Sequence, residues 1–359
     1  MKHMIIEKFH TERNHAESTI KSYNRSIQMY ETITETSIEE CINIADTEET
    51  QNIRWKNTQT RKWLLQYRKY LYENYNISTA QLYLTAIITF YRHFEITIPP
   101  LPYYSTKNVR KTAPINYKDL PDRQILTECL KIASPLARAI ILFMSSSGMS
   151  RIDVLNLTID DYLQATSEYH NHNESVKYAI REMRDKDIIP LFHLTRQKTG
   201  QPYFTFCSHE ACKSINAYLL TRTEILHRER PLFKVNPRYI NMIFERLNDY
   251  FRLGKVGNYN RLRPHMLRKY HASQLAEAGM PTEHINLLQG RKVTGVAHES
   301  YIRLNPDRLK EEYIQALPYI VIEDVNKYKT EVETVKEENK ELKENLRNII
   351  NRIEKLEQH

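Results

Sequence analysis

Apolar residues recur at helical spacing along most of this chain, and glycine, which breaks helices, is rare. Only 7 of the 359 residues are glycine. One early segment shows the pattern of an amphipathic helix, with bulky residues three or four positions apart at Ile20, Tyr23, Ile27 and Tyr30. The sequence therefore predicts a mainly α fold in which β structure is limited to a small hairpin or sheet, an α+β arrangement.

The first hundred residues predict a small helical domain. Its apolar faces are preceded by polar residues that commonly cap helices, namely Ser18 or Thr19, Thr58 or Thr60, and Ser78-Thr79. Two prolines end the third helix at positions 99 and 100. We predict a helical domain over residues 1–100, a basic linker over 101–119, a second domain over 120–322 and a separate tail over 323–359.

The second domain contains the clearest β signal. Two runs typical of strands, Ile188–Leu194 and Tyr203–Phe206, flank a turn that contains Lys198 and Gly200. Helical patterns follow the hairpin, at Ala211–Leu226, Pro237–Tyr250 and Pro264–Ala278, with Gly279 just past the last of them.

The net charge is +8 and is unevenly distributed. Residues 323–359 carry ten acidic and eight basic side chains, so residues 1–322 carry +10. Two stretches in the first 120 residues contain several basic residues and no acid, which favours a polyanion such as double-stranded DNA, although an ordinary solvated surface can carry similar stripes. The candidate DNA-binding residues are Arg54, Lys56, Arg61, Lys62, Lys107, Arg110 and Lys111.

The strongest chemical signal is the pair His265 and Arg268. Positions three apart lie on one face of a helix, so both side chains can approach the same target. Two donors aimed at one point suit an oxyanion, most plausibly a phosphate, whereas a solvated basic helix is the simpler interpretation of these residues alone.

Three further motifs accompany this pair in a fixed order. Arg151 follows a glycine break at residue 148, Lys198 lies in the hairpin turn, and Tyr301 follows the His265-x-x-Arg268 segment by some thirty residues. From about residue 120 to 317 this order and spacing resemble the tyrosine recombinase (phage integrase) family. The resemblance implies that the first domain is a DNA core-binding domain and that the second is the catalytic domain.

The resemblance also implies a role for each residue. Arg151 and Arg268 would hold the non-bridging oxygens of a phosphate, and Lys198 would protonate the leaving 5′-hydroxyl group as a general acid. His265 would donate to the phosphate or carry the proton of the nucleophile. Tyr301 would attack the phosphate and hold the DNA as a phosphotyrosine, which conserves the bond energy, so no cofactor, ATP or metal is required.

The sequence departs from the family pattern in three places. An ungapped match to the usual Gly-Leu-Arg places Ser150 in the arginine position, and we choose Arg151 by assuming a one-residue shift. The family's second histidine meets Arg291, which can donate to a phosphate but cannot act as a base. Tyr313 competes with Tyr301 as the nucleophile, but its charged, helix-like surroundings favour a structural tyrosine.

The function that these motifs imply is site-specific recombination, by the integrase of a mobile element such as a virus or plasmid. A Xer-type chromosome or plasmid resolvase has the same motifs, and a type IB topoisomerase shares the chemistry but has a larger clamp. A catalytically decayed DNA-binding factor on the same fold is the alternative from another class.

The tail carries an unbroken heptad pattern. Apolar positions alternate by three and four residues from Val325 to Leu356, with Asn339 at one a position. We predict a coiled coil through which protomers self-associate, since recombination between two DNA sites requires a tetramer. A single amphipathic helix on its own domain would instead show a wider apolar face.

Composition also bounds where the chain acts. No run of eighteen apolar residues exists, and the first residues lack the apolar core of a signal peptide. The four cysteines are too few and too scattered for a disulfide framework, and Cys207 and Cys212 have no second Cys/His pair at a zinc-finger spacing. We therefore expect an intracellular, cytoplasmic protein without a membrane span or a bound metal.

Overall fold

The computed structural model describes residues 4–111, 114–171, 175–184, 186–291 and 305–323. These residues form two compact units, residues 1–114 and 115–359. The fold is mainly α with two small antiparallel sheets, as predicted. No helix within the described residues is both long and apolar enough to cross a membrane. The predicted coiled coil lies outside the described residues.

The described residues of the first unit form five helices around one core. Three-residue helical turns occur at Trp55–Asn57 in this unit and at Tyr117–Asp119 and Ser167–Tyr169 in the second. Helices α2, α4 and α5 pack on one another, and α3 packs on α4. The five helices are α1 (Met4–Glu12), α2 (Glu17–Thr34), α3 (Ile38–Thr50), α4 (Gln59–Asn74) and α5 (Ile77–His93).

Chain beyond the fifth helix also belongs to the first unit. The Arg68 guanidinium donates to the carbonyl of Pro102 at 2.6 Å, and the amide of Ile77 donates to the carbonyl of Arg110 at 3.0 Å. Val109 is buried. Much of the segment that we predicted as a linker is therefore packed against α4 and the start of α5.

The second unit is built around helix α7, which is buried on nearly every side. Its central residues, from Ala139 to Met144, are all at most 1% exposed. A helix that is apolar all round belongs in a core, and α7 packs on α11 and α13. The helices of this unit are α6 (Arg123–Ile132), α7 (Pro135–Ser147), α8 (Arg151–Asn156), α9 (Ile159–Ala165), α10 (Val176–Glu182), α11 (His209–Thr221), α12 (Pro237–Tyr250), α13 (Pro264–Glu277), α14 (Thr282–Leu288) and α15 (Pro306–Ile320).

Two hairpins complete the second unit. Strands β1 (Leu191–Thr195) and β2 (Pro202–Phe206) pair antiparallel, with Leu191 opposite Phe206 and Thr195 opposite Pro202. Strands β3 (Lys255–Val256) and β4 (Tyr259–Asn260) form a second, shorter hairpin just before α13. Both hairpins bring loop residues to the same side of the unit as the starts of α8 and α13.

Candidate active site

A cleft in the second unit brings four predicted catalytic residues together. It has a volume of about 690 Å³ and is lined by Arg151, Lys198, His265 and Arg268. Its walls are the start of α8, the tip of the β1–β2 hairpin, α12, the β3–β4 hairpin and the start of α13. The predicted nucleophile Tyr301 lies outside the described residues.

Arg268 is fixed in position before any ligand arrives. It is 5% exposed, and its Nη1 and Nη2 atoms donate to the carbonyls of Gly148 at 2.6 Å and Gln289 at 2.5 Å. Burial, followed by the charges of Arg291 and Arg196, lowers the pKa of Arg268 to about 10. The group therefore keeps its charge at neutral pH, and its orientation requires no reorganisation when an anion binds.

His265 occupies the first turn of α13, one turn before Arg268. Pro264 begins the helix, where a missing amide costs nothing, and sets the phase of the residues that follow. Burial, followed by the charges of Lys269 and Arg263, lowers the pKa of His265. The imidazole is therefore neutral at physiological pH, so one ring nitrogen can accept a proton.

Ser150 and Arg151 have different positions at the start of α8. Ser150 is the N-cap, and its hydroxyl oxygen accepts from the Asp153 amide at 3.3 Å and donates to Asp153 Oδ2 at 2.8 Å. Arg151 is the first helical residue, and its Nη1 donates to Asn241 Oδ1 on α12 at 2.6 Å. The arginine that we chose thus reaches the cleft, while the hydroxyl of the neighbouring serine caps the helix.

Gly148 permits the chain to turn sharply between α7 and α8. Its φ of 63° is in the left-handed region, and a Cβ atom there would lie 2.3 Å from Nδ1 of His271. Both the conformation and the contact exclude a side chain. This turn brings the start of α8 over α13, and so brings Arg151 into the same cleft as Arg268.

The Lys198 hairpin is bound at its base and exposed at its tip. Asp153 Oδ1 accepts from the Gln197 amide at 3.1 Å, and Asp153 Oδ2 accepts from the Tyr203 hydroxyl at 3.4 Å. Arg196 Nη1 donates to the carbonyl of Gly290 at 2.7 Å. Lys198 is exposed one residue beyond these attachments, as a group that must reach a substrate would be.

Arg291 is the last described residue before the segment that carries Tyr301. Its amide donates to the carbonyl of Asn286 at 2.8 Å, which fixes its backbone at the end of α14. Burial, followed by the charge of Arg196, lowers the pKa of Arg291. Its own charge lowers the pKa values of His265 and Arg268, so Arg291 lies next to the residues of the cleft.

Tyr313 lies in the core of the second unit. It is fully buried, and its hydroxyl donates to the carbonyl of Ser146 at 2.8 Å. Burial raises the pKa of this phenol well above its ordinary value. The side chain therefore packs α15 against α7 and does not face the cleft.

Several residues that line the cleft were not predicted from the sequence. Arg196 lies two residues before Lys198 in the same hairpin turn. Its positive charge was the sequence signal that could have identified it as a residue of the cleft. Lys255 lies in the β3–β4 hairpin, whose two-residue strands have no recognisable periodicity, and Arg263 is the N-cap of α13. Asn241 lies on the exposed side of α12, where polar residues are expected in any case. These residues are Arg196, Asn241, Lys255 and Arg263.

The predicted DNA-binding residues form two groups in the first unit. Arg54, Lys56, Arg61 and Lys62 surround the start of α4. The other group, residues 107–111, lies at the far end of that helix, where the carbonyl of Arg110 accepts from the Ile77 amide. A helix of 16 residues is about 24 Å long. None of the seven forms an ion pair with another described residue, and all but the half-buried Arg61 are exposed.

Comparison with known proteins identifies the class of this fold. The model of the phage integrase family matches residues 123–308, which is more than half of the chain. The chain belongs to this family of tyrosine recombinases, as its motifs indicated. A comparison with curated proteins finds no match.

Two solved structures illustrate the likeness. One is the Tn1549 transposon integrase (residues 82–397) in complex with circular intermediate DNA, with 13% identity, 86% of this chain and 97% of that chain covered, and a TM-score of 0.50. The other is the XerH site-specific recombinase bound to its difH substrate in a pre-cleavage complex, with 15% identity, 87% and 83% covered, and a TM-score of 0.50. At these identities the likeness shows a shared fold.

Proposed function

We propose that this chain is a site-specific DNA recombinase that cuts and rejoins double-stranded DNA through a 3′-phosphotyrosyl intermediate. The observation that carries the proposal is the cleft, in which cationic and proton-carrying groups from α8, the β1–β2 hairpin and α13 converge. Such a concentration of positive charge is unfavourable unless an anion occupies it, and a phosphodiester in DNA carries the required charge.

The residues divide the chemistry among them. The Tyr301 phenolate oxygen forms a bond to phosphorus while the bond from phosphorus to the 5′-oxygen breaks. His265, which is neutral, takes the phenolic proton or donates to the phosphate, and Lys198 gives a proton to the leaving 5′-oxygen. Arg151, Arg268 and Arg291 balance the charge that develops on the non-bridging oxygens. The reverse reaction, with a new 5′-hydroxyl group, rejoins the strand.

The first unit supplies the means to hold DNA. Two groups of cations lie near opposite ends of α4, a helix about 24 Å long, and can bind phosphates at separate places on one duplex. Two proteins that share the fold support this proposal, the Tn1549 integrase in complex with circular intermediate DNA and XerH bound to its difH substrate. Double-stranded DNA in the cytoplasm is therefore the proposed substrate, with four protomers acting on two DNA sites.

Two biological roles fit this chemistry. We favour the integrase of a mobile element, and a Xer-type resolvase of a chromosome or plasmid would use the same cleft. The presence of Ser150 in the ungapped arginine position favours, as a second function, a DNA-binding factor that has lost catalysis. Mapping repeats in the DNA next to the encoding gene would separate integrase from resolvase.

A covalent-capture experiment tests the catalytic proposal. The protein is incubated with DNA that contains its recombination site and a nick beside the cleavage position, so that the short 5′-hydroxyl fragment diffuses away and the adduct accumulates. The wild-type chain and Tyr313→Phe should both form a protein–DNA adduct that survives denaturing electrophoresis. Tyr301→Phe should bind the same DNA without forming it.

Each other outcome has a distinct meaning. An adduct in Tyr301→Phe that disappears in Tyr313→Phe would assign the nucleophile to Tyr313, against its burial. Normal binding without any adduct in the wild-type chain would support the DNA-binding factor that has lost catalysis.

A further inference from the structure

Arg196 is a cation in the cleft to which neither the motif pattern nor the proposed mechanism gives a role. It lies between Lys198 at the hairpin tip and Arg291 at the end of α14, and it lines the same cleft as Arg268. Its charge is among those that lower the pKa values of Arg268 and Arg291, so the three guanidinium groups lie close together.

The hydrogen bonds of Arg196 leave donors available. Its Nη1 atom donates to the carbonyl of Gly290 at 2.7 Å, which holds the side chain against the segment before Arg291. Its Nε atom is buried and has no partner among the described residues. A guanidinium carries five donors in a rigid plane. The Nη2 atom of Arg196 has no hydrogen bond to a described residue and is not among the buried atoms, so it can donate to an oxyanion in the cleft.

The cations of the cleft outnumber the acidic groups near them, since six Lys and Arg side chains line it and Glu245 is the acidic residue among its lining residues. The carboxylate of Asp153 accepts from the Gln197 amide, the Tyr203 hydroxyl and the Ser150 hydroxyl. These bonds use the carboxylate to fix the hairpin on α8, and its oxygens are not bonded to Arg196. Asp153 and Glu245 together leave the cleft with a net positive charge, which a bound oxyanion would balance.

The position of Arg151 leaves room for a second phosphate ligand. Its guanidinium donates to Asn241 on α12, at the wall of the cleft that α12 forms. Ser150, in the ungapped arginine position, has a short side chain that caps α8. Arg196 is thus the guanidinium that the hairpin brings next to Arg268.

We propose that Arg196 binds the scissile phosphate directly, donating an Nη2–H to a non-bridging oxygen beside Arg268. This assignment rests on the proposed function and adds a residue to that site. Because Nη1 stays on Gly290, binding of the phosphate also links the Lys198 hairpin to the Arg291 segment. The bound phosphate would then fix the position of Lys198, the general acid, relative to the end of α14.

The test compares charged and neutral phosphates. The nicked DNA is made with an ordinary phosphate or with a methylphosphonate, which lacks one negative charge, at the cleavage position. Arg196→Ala should cleave ordinary DNA about 10²-fold more slowly than wild type, the usual loss for one donor to a developing oxyanion. On methylphosphonate DNA the deficit should shrink to less than about tenfold, because less charge needs to be balanced.

Two further variants separate charge from structure. Arg196→Lys keeps the charge without the planar fork, and it should fall between Arg196→Ala and the wild type on ordinary DNA. Arg228→Ala is the matched control, since Arg228 pairs with Asp160 and does not line the cleft. It should cleave both substrates like the wild type.

Binding provides a second readout that does not depend on cleavage. In a Tyr301→Phe background, adding Arg196→Ala should weaken binding to ordinary DNA more than to methylphosphonate DNA. An equal deficit of Arg196→Ala on both substrates, in cleavage and in binding, would mean that Arg196 only positions the hairpin, and no deficit would mean that it has neither role. Absence of cleavage by the wild type would overturn the proposed function, and the binding comparison would still decide the role of Arg196.

Discussion

At the scale of one residue, a buried and neutral histidine, His271, packs behind the charged Arg268 of the cleft. The ring is fully buried beneath Gly148, and Gln289 Nε2 lies 3.0 Å from its Nδ1. Burial, followed by the charges of Arg268 and Arg291, lowers the pKa of His271 to about 3. A second cation behind Arg268 would repel it, so a neutral imidazole is the species that this packing accepts.

We expect His271 to make the second unit less stable in acid. The pKa is about 3 in the folded protein and 6.5 in the unfolded chain, so below pH 6.5 the unfolded chain binds a proton that the folded protein does not. Stability is therefore lost as the pH falls from 6.5 towards 3, by up to about 1.4 kcal/mol per pH unit. His271→Asn should reduce this slope in urea unfolding measured between about pH 6 and pH 5.

The control for this prediction is the exposed His227. His227→Asn should leave the slope as it is in the wild type. An unchanged slope in His271→Asn would show that other groups account for the loss of stability in acid.

At the scale of elements, the sequence predicted helices well where a residue marks the first turn. Pro237 and Pro264 each occupy the first helical position, and α12 and α13 begin there, as predicted. Thr58 caps α4, whereas the N-caps of α2 and α5 are Ala16 and Asn76, two to three residues before the expected caps. Asn76 is a polar cap of the expected kind and Ala16 is not, so the identity of a capping residue alone does not fix where a helix begins.

From the sequence, only those parts of the site could be predicted that depend on the spacing of neighbouring residues. His265 and Arg268 share a helix face, which a three-residue spacing is sufficient to predict. Whether Arg196 or Lys255 faces the same cleft depends on how two hairpins fold over α13, which no local pattern contains. Local spacing also could not decide whether Ser150 or Arg151 faces the cleft. The direction of each side chain depends on the residue at which α8 begins.

The C-terminal end of α15 is fixed by a buried carboxylate on another helix. Glu210, in the first turn of α11, is 5% exposed and accepts from the amides of Ile322 at 2.8 Å and Glu323 at 3.0 Å. Glu210→Gln leaves one acceptor oxygen and replaces the other with a donor that faces an amide. We expect it to lower the free energy of unfolding by about 1–3 kcal/mol. Urea unfolding measures this change.

Hydrogen exchange locates the effect of the same substitution. The amides of Ile322 and Glu323 should exchange faster in Glu210→Gln, while those of α7 keep their protection. The exposed Glu229→Gln is the control and should match the wild type. Unchanged exchange at Ile322 would mean that Glu210 does not hold this segment.

At the scale of the whole molecule, charge separates the tail from the rest. Residues 1–322 carry +10 and residues 323–359 carry −2, so DNA attracts the former and not the latter. The heptad pattern from Val325 to Leu356 spans nearly five repeats, long enough for a stable coiled coil. A coiled coil between protomers is therefore the prediction that agrees with both the negative charge and the heptad pattern of the tail.

We predict that removing residues 324–359 weakens joining of two DNA sites but not cleavage at one. The deletion starts after Glu323 because the side chain of this residue pairs with Arg138 and its amide with Glu210. Sedimentation should show smaller assemblies for the shortened chain, and Asn339→Leu should tighten association while broadening its stoichiometry. A tail peptide that stays monomeric and unfolded at high micromolar concentration would contradict this prediction.

The attachment of the chain at residues 318–323 has a mechanical consequence. Arg123 on α6 donates to the carbonyls of Pro318 and Tyr319, Glu210 on α11 accepts from the next two amides, and Arg138 on α7 pairs with Glu323. Tension applied beyond residue 323 is thus transmitted into three rigid helices before it can stretch α15.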